Sequence, residues 1–214
     1  MNEHKRKEKK ESKNESESLR DFKFLELPNC LTEDECNQLI HFHKSHQHLV
    51  TFNDPAEHYN GRRIPLENIR SYEVRRAMRK AQYVAISNIF ASYKDQVFPE
   101  QSEIMRWKVG MDQNPHIDKM AGLDADGKQV DVYPETAWAA IVYLNDSYEG
   151  GKTYFESCPE LPMGYEIIPQ RGKIVMFEGM EFYHGVSKVR RSERYTIAMW
   201  FTRNWKTMSP DLRI

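Results

Sequence analysis

A chain of 214 residues with 39% hydrophobic residues and a net charge of -1 can bury one sizeable core, and it lacks the charge excess of a dedicated nucleic-acid or membrane-surface binder. No apolar run approaches the roughly 18 residues that cross a bilayer, and the charged N-terminus has no signal-peptide core. Cys30, Cys36 and Cys158 stand at no metal-binding spacing, which fits free thiols in a reducing compartment; a soluble, intracellular (cytoplasmic) protein is expected.

Residues 1–20 mix Lys, Glu and Ser with almost no apolar residue and read as a disordered charged tail. Glutamates interleave its KRKEKK run, so a solvated tail is favoured over a nucleic-acid patch. Residues 21–214 read as one domain, with helices over about 31–93 and a β-core over about 102–203. FKFLEL alternates apolar and charged residues, the pattern of a half-buried strand. Thr32 and Glu35 in TEDE have the spacing of a capping box, followed by the apolar Leu39, Ile40 and Phe42. NDPAEHYNGRRIPLEN, rich in turn formers, reads as a loop. In SYEVRRAMRKAQYVAISNIFASY, Val74, Met78, Ala81, Ala85 and Ile89 recur at helical spacing.

Beyond residue 102 short apolar runs alternate with turn signals: EIMRWKV, AWAAIVYLN, KTYFE, YEIIP, KIVMFE, FYHGV and YTIAMWFT. Such a series predicts an antiparallel sandwich or barrel, so the fold class is α+β with supporting helices first.

One constellation in this region carries chemistry. His116 and Asp118 stand two apart, a spacing that puts both on one face of a strand. His184, at the end of an apolar strand before a glycine, can supply a third ligand. Two imidazoles and a carboxylate on one face of an octahedral metal form the facial triad of non-haem Fe(II) oxygenases. Arg194 follows His184 by ten residues and opens the last strong strand, where a guanidinium can grip a dicarboxylate bidentately. Its alternative is a surface arginine in a basic turn.

These segments resemble the 2-oxoglutarate and Fe(II)-dependent dioxygenases, in the prolyl 4-hydroxylase-like branch. The resemblance covers roughly residues 24–203: LPNCLTEDECNQLI, the HID pair, YLNDSYEGGKTYFE and PQRGKIVMFEGMEFYHGVSKVRRSERYTIAMWF, in family order. It implies a double-stranded β-helix (jelly-roll, cupin-like) core. His116, Asp118 and His184 would bind Fe(II), and Arg194 would pair with the distal carboxylate of 2-oxoglutarate. Tyr143 matches a tyrosine that donates to that carboxylate, and Thr153 a position lining the same pocket. Trp107 stands where the family usually has a tyrosine, and is carried over as a co-substrate contact; an indole donates one hydrogen bond and accepts none. Core packing is the alternative for both aromatics, and Trp200 is expected to pack the barrel.

The implied activity is hydroxylation of an unactivated C–H, with O2 as co-substrate, ascorbate as accessory reductant, and succinate and CO2 as products. Peptidyl proline is the substrate expected by family analogy, with a protein or peptide as partner. A free amino acid is the alternative, for which Glu57, Arg62 and Arg63 could supply charges. Nucleic-acid demethylation is disfavoured because VRRSERYTIAMWF lacks the Asn typical of members with that activity. A non-catalytic binding barrel would show an incomplete triad or no Arg194. His41, His43, His46 and His48 share no clean helical face and read as a solvated helix end. DADGKQVD lacks the ligand alternation of a calcium loop, and residues 119–135 read as a polar lid.

Overall fold

The computed structural model describes residues 23–52, 62–118, 121–123, 126, 129–131, 135–156 and 164–210. The expected N-terminal tail, Glu57 and Cys158 lie outside these, as does most of the expected lid; its segments 121–123 and 129–131 pair antiparallel.

Twelve strands and two α-helices are formed by the described residues: β1 Phe24–Leu27, α1 Glu33–Ser45, β2 Thr51–Phe52, β3 Arg62–Pro65, α2 Tyr72–Tyr93, β4 Phe98–Trp107, β5 Gln113–His116, β6 Ala121–Leu123, β7 Gln129–Asp131, β8 Thr136–Tyr143, β9 Thr153–Phe155, β10 Ile174–Phe177, β11 His184–Val186 and β12 Arg194–Thr202. A seven-stranded sheet runs β1-β10-β8-β12-β4-β3-β2, a three-stranded sheet runs β5-β11-β9, and β6 pairs with β7. All named pairings are antiparallel.

Both helices start where the sequence predicts. Thr32 Oγ1 accepts from the Glu35 N–H at 3.2 Å while Glu35 Oε2 accepts from the Thr32 N–H at 2.8 Å, completing the capping box. In α2 the residues at helical spacing, Val74, Met78, Ala81, Ala85 and Ile89, are all buried. Their partners are Ile104, Val142, Ile174, Ile197 and Met199 of the large sheet, so the helices cover that sheet's outer face. Gln82 Nε2 donates to Ser102 Oγ at 2.8 Å, satisfying a polar pair within this layer.

Strand β8 shows how one element serves two layers. Trp138, Ala140 and Val142 belong to the core beneath the helices, while Ala139 and Tyr143 face inward with Phe155, Val175 and Phe177. Burial on both faces accounts for its unbroken apolar run. A second inner cluster joins Met105 and Trp107 of β4 to Val186 of β11, closing one sheet over the other. The result is a double-stranded β-helix with helices on its large sheet.

Three local expectations change. RRIP, read as loop, is β3, because its backbone pairs with β4 from Arg62 opposite Arg106 to Pro65 opposite Glu103. YEIIP, read as strand, contributes only a bridge between Glu166 and Tyr154. His43 is buried rather than solvated: its Nε2 lies 3.0 Å from the Arg62 carbonyl, satisfying the imidazole inside. Among the described residues no helix is long and apolar enough to cross a membrane.

Candidate functional site

The small sheet brings the two histidines together. His184 of β11 is directly opposite His116 of β5, their rings 4.5 Å apart between centroids. Asp118 does not reach them through strand pleating. It lies at a bend two residues past the end of β5, held by its N–H donating to the Gly179 carbonyl at 2.9 Å. Its Oδ1 stands 3.6 Å from His184 Nε2 and 3.8 Å from His116 Nε2. One ligand atom from each residue fits within 4.8 Å of the others, the grouping that a metal ion needs.

Backbone carbonyls aim the imidazoles. His116 Nδ1 lies 3.0 Å from Asn114 O, and His184 Nδ1 lies 3.1 Å from Phe182 O. An Nδ1–H donated at each position leaves Nε2 as the lone-pair atom, facing Asp118. The Gln113 amide is 3.1 Å from His116 Nε2, consistent with that tautomer. Burial lowers the affinity of both rings for a proton, bringing His184 down to about 4; at His116 the neighbouring His184 adds to the effect and Asp118 opposes it. Neutral imidazoles suit metal ligation. Burial pushes the Asp118 carboxyl up, against His116 and a hydrogen-bonding contribution from Trp200. Its buried Oδ2 has no hydrogen-bond partner in standard geometry, the state of a carboxylate lacking a cation.

Arg194 builds the second half of the site. It opens β12 opposite Trp107 and is 1% exposed, yet its Nε has no hydrogen-bond partner among the described residues. Its Nη2 donates to Thr153 Oγ1 at 3.3 Å, and Tyr143 OH donates to the same oxygen at 2.8 Å. The guanidinium carbon lies 5.2 Å from the Trp107 ring and 5.5 Å from the Tyr143 ring, so aromatic faces wall it. Among the described residues no carboxylate lies within ion-pair distance of Arg194. A buried guanidinium without an anion is costly, so an anionic ligand fits this pocket. The surface alternative for Arg194 is thereby corrected: Arg190 and Arg191 are the exposed ones.

All seven sequence-predicted residues therefore fall in two adjoining groups. His116, Asp118 and His184 form one; Arg194, Tyr143, Thr153 and Trp107 form the other. Four further residues shape the site without a sequence signal: Gln113 at His116, Gly179 and Trp200 at Asp118, and Tyr148 near Arg194. Trp200 is half-buried against the inner cluster, as expected, and also reaches the Asp118 carboxylate.

Comparison with known proteins gives the same direction. Residues 102–202 match the 2OG-Fe(II) oxygenase superfamily. The chain is 31% identical over 151 residues to prolyl 3-hydroxylase 1 of Mus musculus, covering 65% of this chain and 20% of that protein. It is 25% identical over 225 residues to prolyl 3-hydroxylase 2 of Rattus norvegicus, covering 87% of this chain and 31% of that protein. The chain thus spans about a fifth to a third of the length of these curated relatives. Among solved structures, the viral collagen prolyl hydroxylase of Paramecium Bursaria Chlorella virus-1 superposes with a TM-score of 0.62 at 19% identity, covering 86% of this chain and 98% of that one. The Trichoplax adhaerens prolyl hydroxylase, solved with a hypoxia inducible factor peptide fragment, gives 0.65 at 15% identity, covering 95% and 94%. At these identities the structures speak for the fold, and the match over the β-core speaks for the lineage. The β-core, residues 102–202, belongs to the 2OG-Fe(II) oxygenase superfamily.

Proposed function

We propose that this chain is an Fe(II)- and 2-oxoglutarate-dependent dioxygenase that hydroxylates a prolyl residue in a peptide segment. The observation that carries the reading is the adjacency of two incomplete sites. Three metal-competent ligand atoms lie within 4.8 Å of one another, and the buried Arg194 guanidinium, with no carboxylate partner among the described residues, donates to Thr153, which pairs with Val186 two residues beyond His184.

His116, Asp118 and His184 would hold the Fe(II), and the bound iron with 2-oxoglutarate and O2 supplies the oxidising power for C–H hydroxylation, releasing succinate and CO2. The chain's own residues bind and orient. Arg194 offers a charge-assisted grip for the distal carboxylate, and Thr153 and Tyr143 offer hydroxyls beside it. Trp107 shields the guanidinium from water, which strengthens its field. Two main-chain carbonyls keep the ligand imidazoles from turning. Ascorbate is included as an accessory reductant. The reducing, intracellular setting belongs to the same proposal, supported by the free thiols of Cys30 and Cys36.

A peptide is preferred because the relatives are prolyl hydroxylases and the Trichoplax adhaerens structure holds a peptide fragment. One observation favours a free amino acid instead. Glu103 shares its face of β4 with the inward-pointing Met105 and Trp107, and Arg63 Nη1 donates to its Oε2 at 3.4 Å. Opposite charges on the inner wall are what an ammonium and a carboxylate would need. The test incubates the full chain with Fe(II), 2-oxoglutarate and ascorbate, with proline-containing peptides and, separately, with free proline. A one-oxygen mass gain on peptide with matched succinate supports the proposal, and NMR of the product assigns the ring carbon. Oxidation of free proline alone would transfer the assignment to the small-molecule reading.

A further inference from the structure

We propose that Tyr148 is a further co-substrate residue, its hydroxyl donating to the distal carboxylate of 2-oxoglutarate beside Arg194. The inference rests on the reading above and adds a residue outside the expected set. Tyr148 lies on the connection between β8 and β9, two residues before the Gly150–Gly151 turn. Gly151 has φ +58, and a Cβ there would stand 3.1 Å from Arg194 Cδ and 3.2 Å from Tyr148 Cε2. The bare α-carbon is therefore the floor on which the arginine stem and the phenol ring meet.

The Tyr148 hydroxyl is buried and has no hydrogen-bond partner in standard geometry. Burial pushes its pKa up, and Arg194 opposes that rise through its charge and a hydrogen-bonding contribution to the phenol oxygen. Arg194 Nε is likewise buried and without a partner. Two uncommitted donors in one pocket, with no carboxylate among the described residues to take them, share one complement: an anion with more than one acceptor oxygen. Tyr143 is the phenol expected from family resemblance, but its hydrogen is already given to Thr153 at 2.8 Å. Tyr148 is the phenol whose hydrogen is still available, and its oxygen can meanwhile accept from the guanidinium.

A space-filling role would need the ring and not the oxygen, and Tyr148→Phe separates the two. Removing a buried, unpartnered hydroxyl leaves the ligand-free Tm equal to the parent's or higher. Calorimetric titration of the Mn(II)-loaded protein should show 2-oxoglutarate binding weakened about tenfold, the range of one hydrogen bond to a charged group. The rise in Tm on adding 2-oxoglutarate should shrink accordingly. Affinity for 2-oxobutyrate, which has no distal carboxylate, should be unchanged. Parental affinity for 2-oxoglutarate in Tyr148→Phe, with Arg194→Ala still defective, overturns the Tyr148 role and leaves the proposed function standing. Equal loss for both oxoacids also overturns it. If the parent binds no 2-oxoglutarate, the proposed function falls with it.

Discussion

Gly179 backs directly onto Asp118. A Cβ at Gly179 would lie 1.9 Å from Asp118 Oδ2, and the Gly179 carbonyl accepts the Asp118 N–H at 2.9 Å. One residue thus fixes the backbone of the only anionic group in the triad and leaves space for its carboxylate. Ala139 Cβ, 3.0 Å from the same point, blocks escape on another side. Gly179→Ala should displace the carboxylate and weaken Fe(II) or Mn(II) binding at least tenfold, while a thermal melt shows a folded protein. Asp118→Ala should abolish metal binding and turnover. His41→Ala, on an exposed helix position, should leave both intact. Metal titration that ranks Gly179→Ala with His41→Ala would refute the link.

Arg194 predicts a clean separation of folding from binding. Among the described residues no carboxylate pairs with it, so Arg194→Ala should cost little stability. Its effect should appear as a loss of about 2–5 kcal/mol in 2-oxoglutarate binding, the range for a buried charge pair. Arg194→Lys should recover only part, since an ammonium cannot form the two-point grip. Arg190→Ala and Arg191→Ala are the exposed controls. Equal defects in all three would mean a diffuse basic patch.

Glu103 predicts a pH dependence of stability. Burial raises its carboxyl to about 7, with Arg63 opposing the rise. Between its ordinary value of 4.5 and about 7 the folded form holds a proton that the unfolded chain has lost. Stability contributed by Glu103 is therefore full below 4.5 and declines through this window, at up to about 1.4 kcal/mol per pH unit. Glu103→Gln should flatten that decline in denaturant titrations run across the window from 4.5 to about 7. An unchanged slope would show that other groups dominate.

Thr32 tests the helix that supports the sheet. Thr32→Ala removes the acceptor for the Glu35 N–H and costs about 1 kcal/mol. For a domain of this size that lowers Tm by roughly 2–4 °C. Metal affinity should not change, because α1 packs on the outer face of the large sheet.

Local patterns made much of this legible. Thr32 and Glu35 cap α1 through backbone groups three residues apart, and the α2 stripe needs only helical periodicity. His116, Asp118, His184 and Arg194 stand out as candidates by residue type, order and the strands around them. Elsewhere local chemistry misled. Pro, Gly and Asn around RRIP signalled a loop, but pairing with β4 stabilises a strand there, a contact about forty residues distant in the chain. A histidine-rich helix end read as solvated, yet the Arg62 carbonyl satisfies His43 inside.

The sequence by itself determined which residues could do chemistry and which segments could be strands, because both depend on side-chain type and short-range period. Only the tertiary structure decided their convergence. Antiparallel pairing of β11 with β5 sets His184 across from His116, and a bend held by Gly179 turns Asp118 toward them. The same holds for Tyr148, whose role depends on a turn that folds it over Arg194, 46 positions away by their numbering in the chain. Such contacts are set by the geometry of paired strands and by close approach at glycine, and neither leaves a periodic trace along the chain.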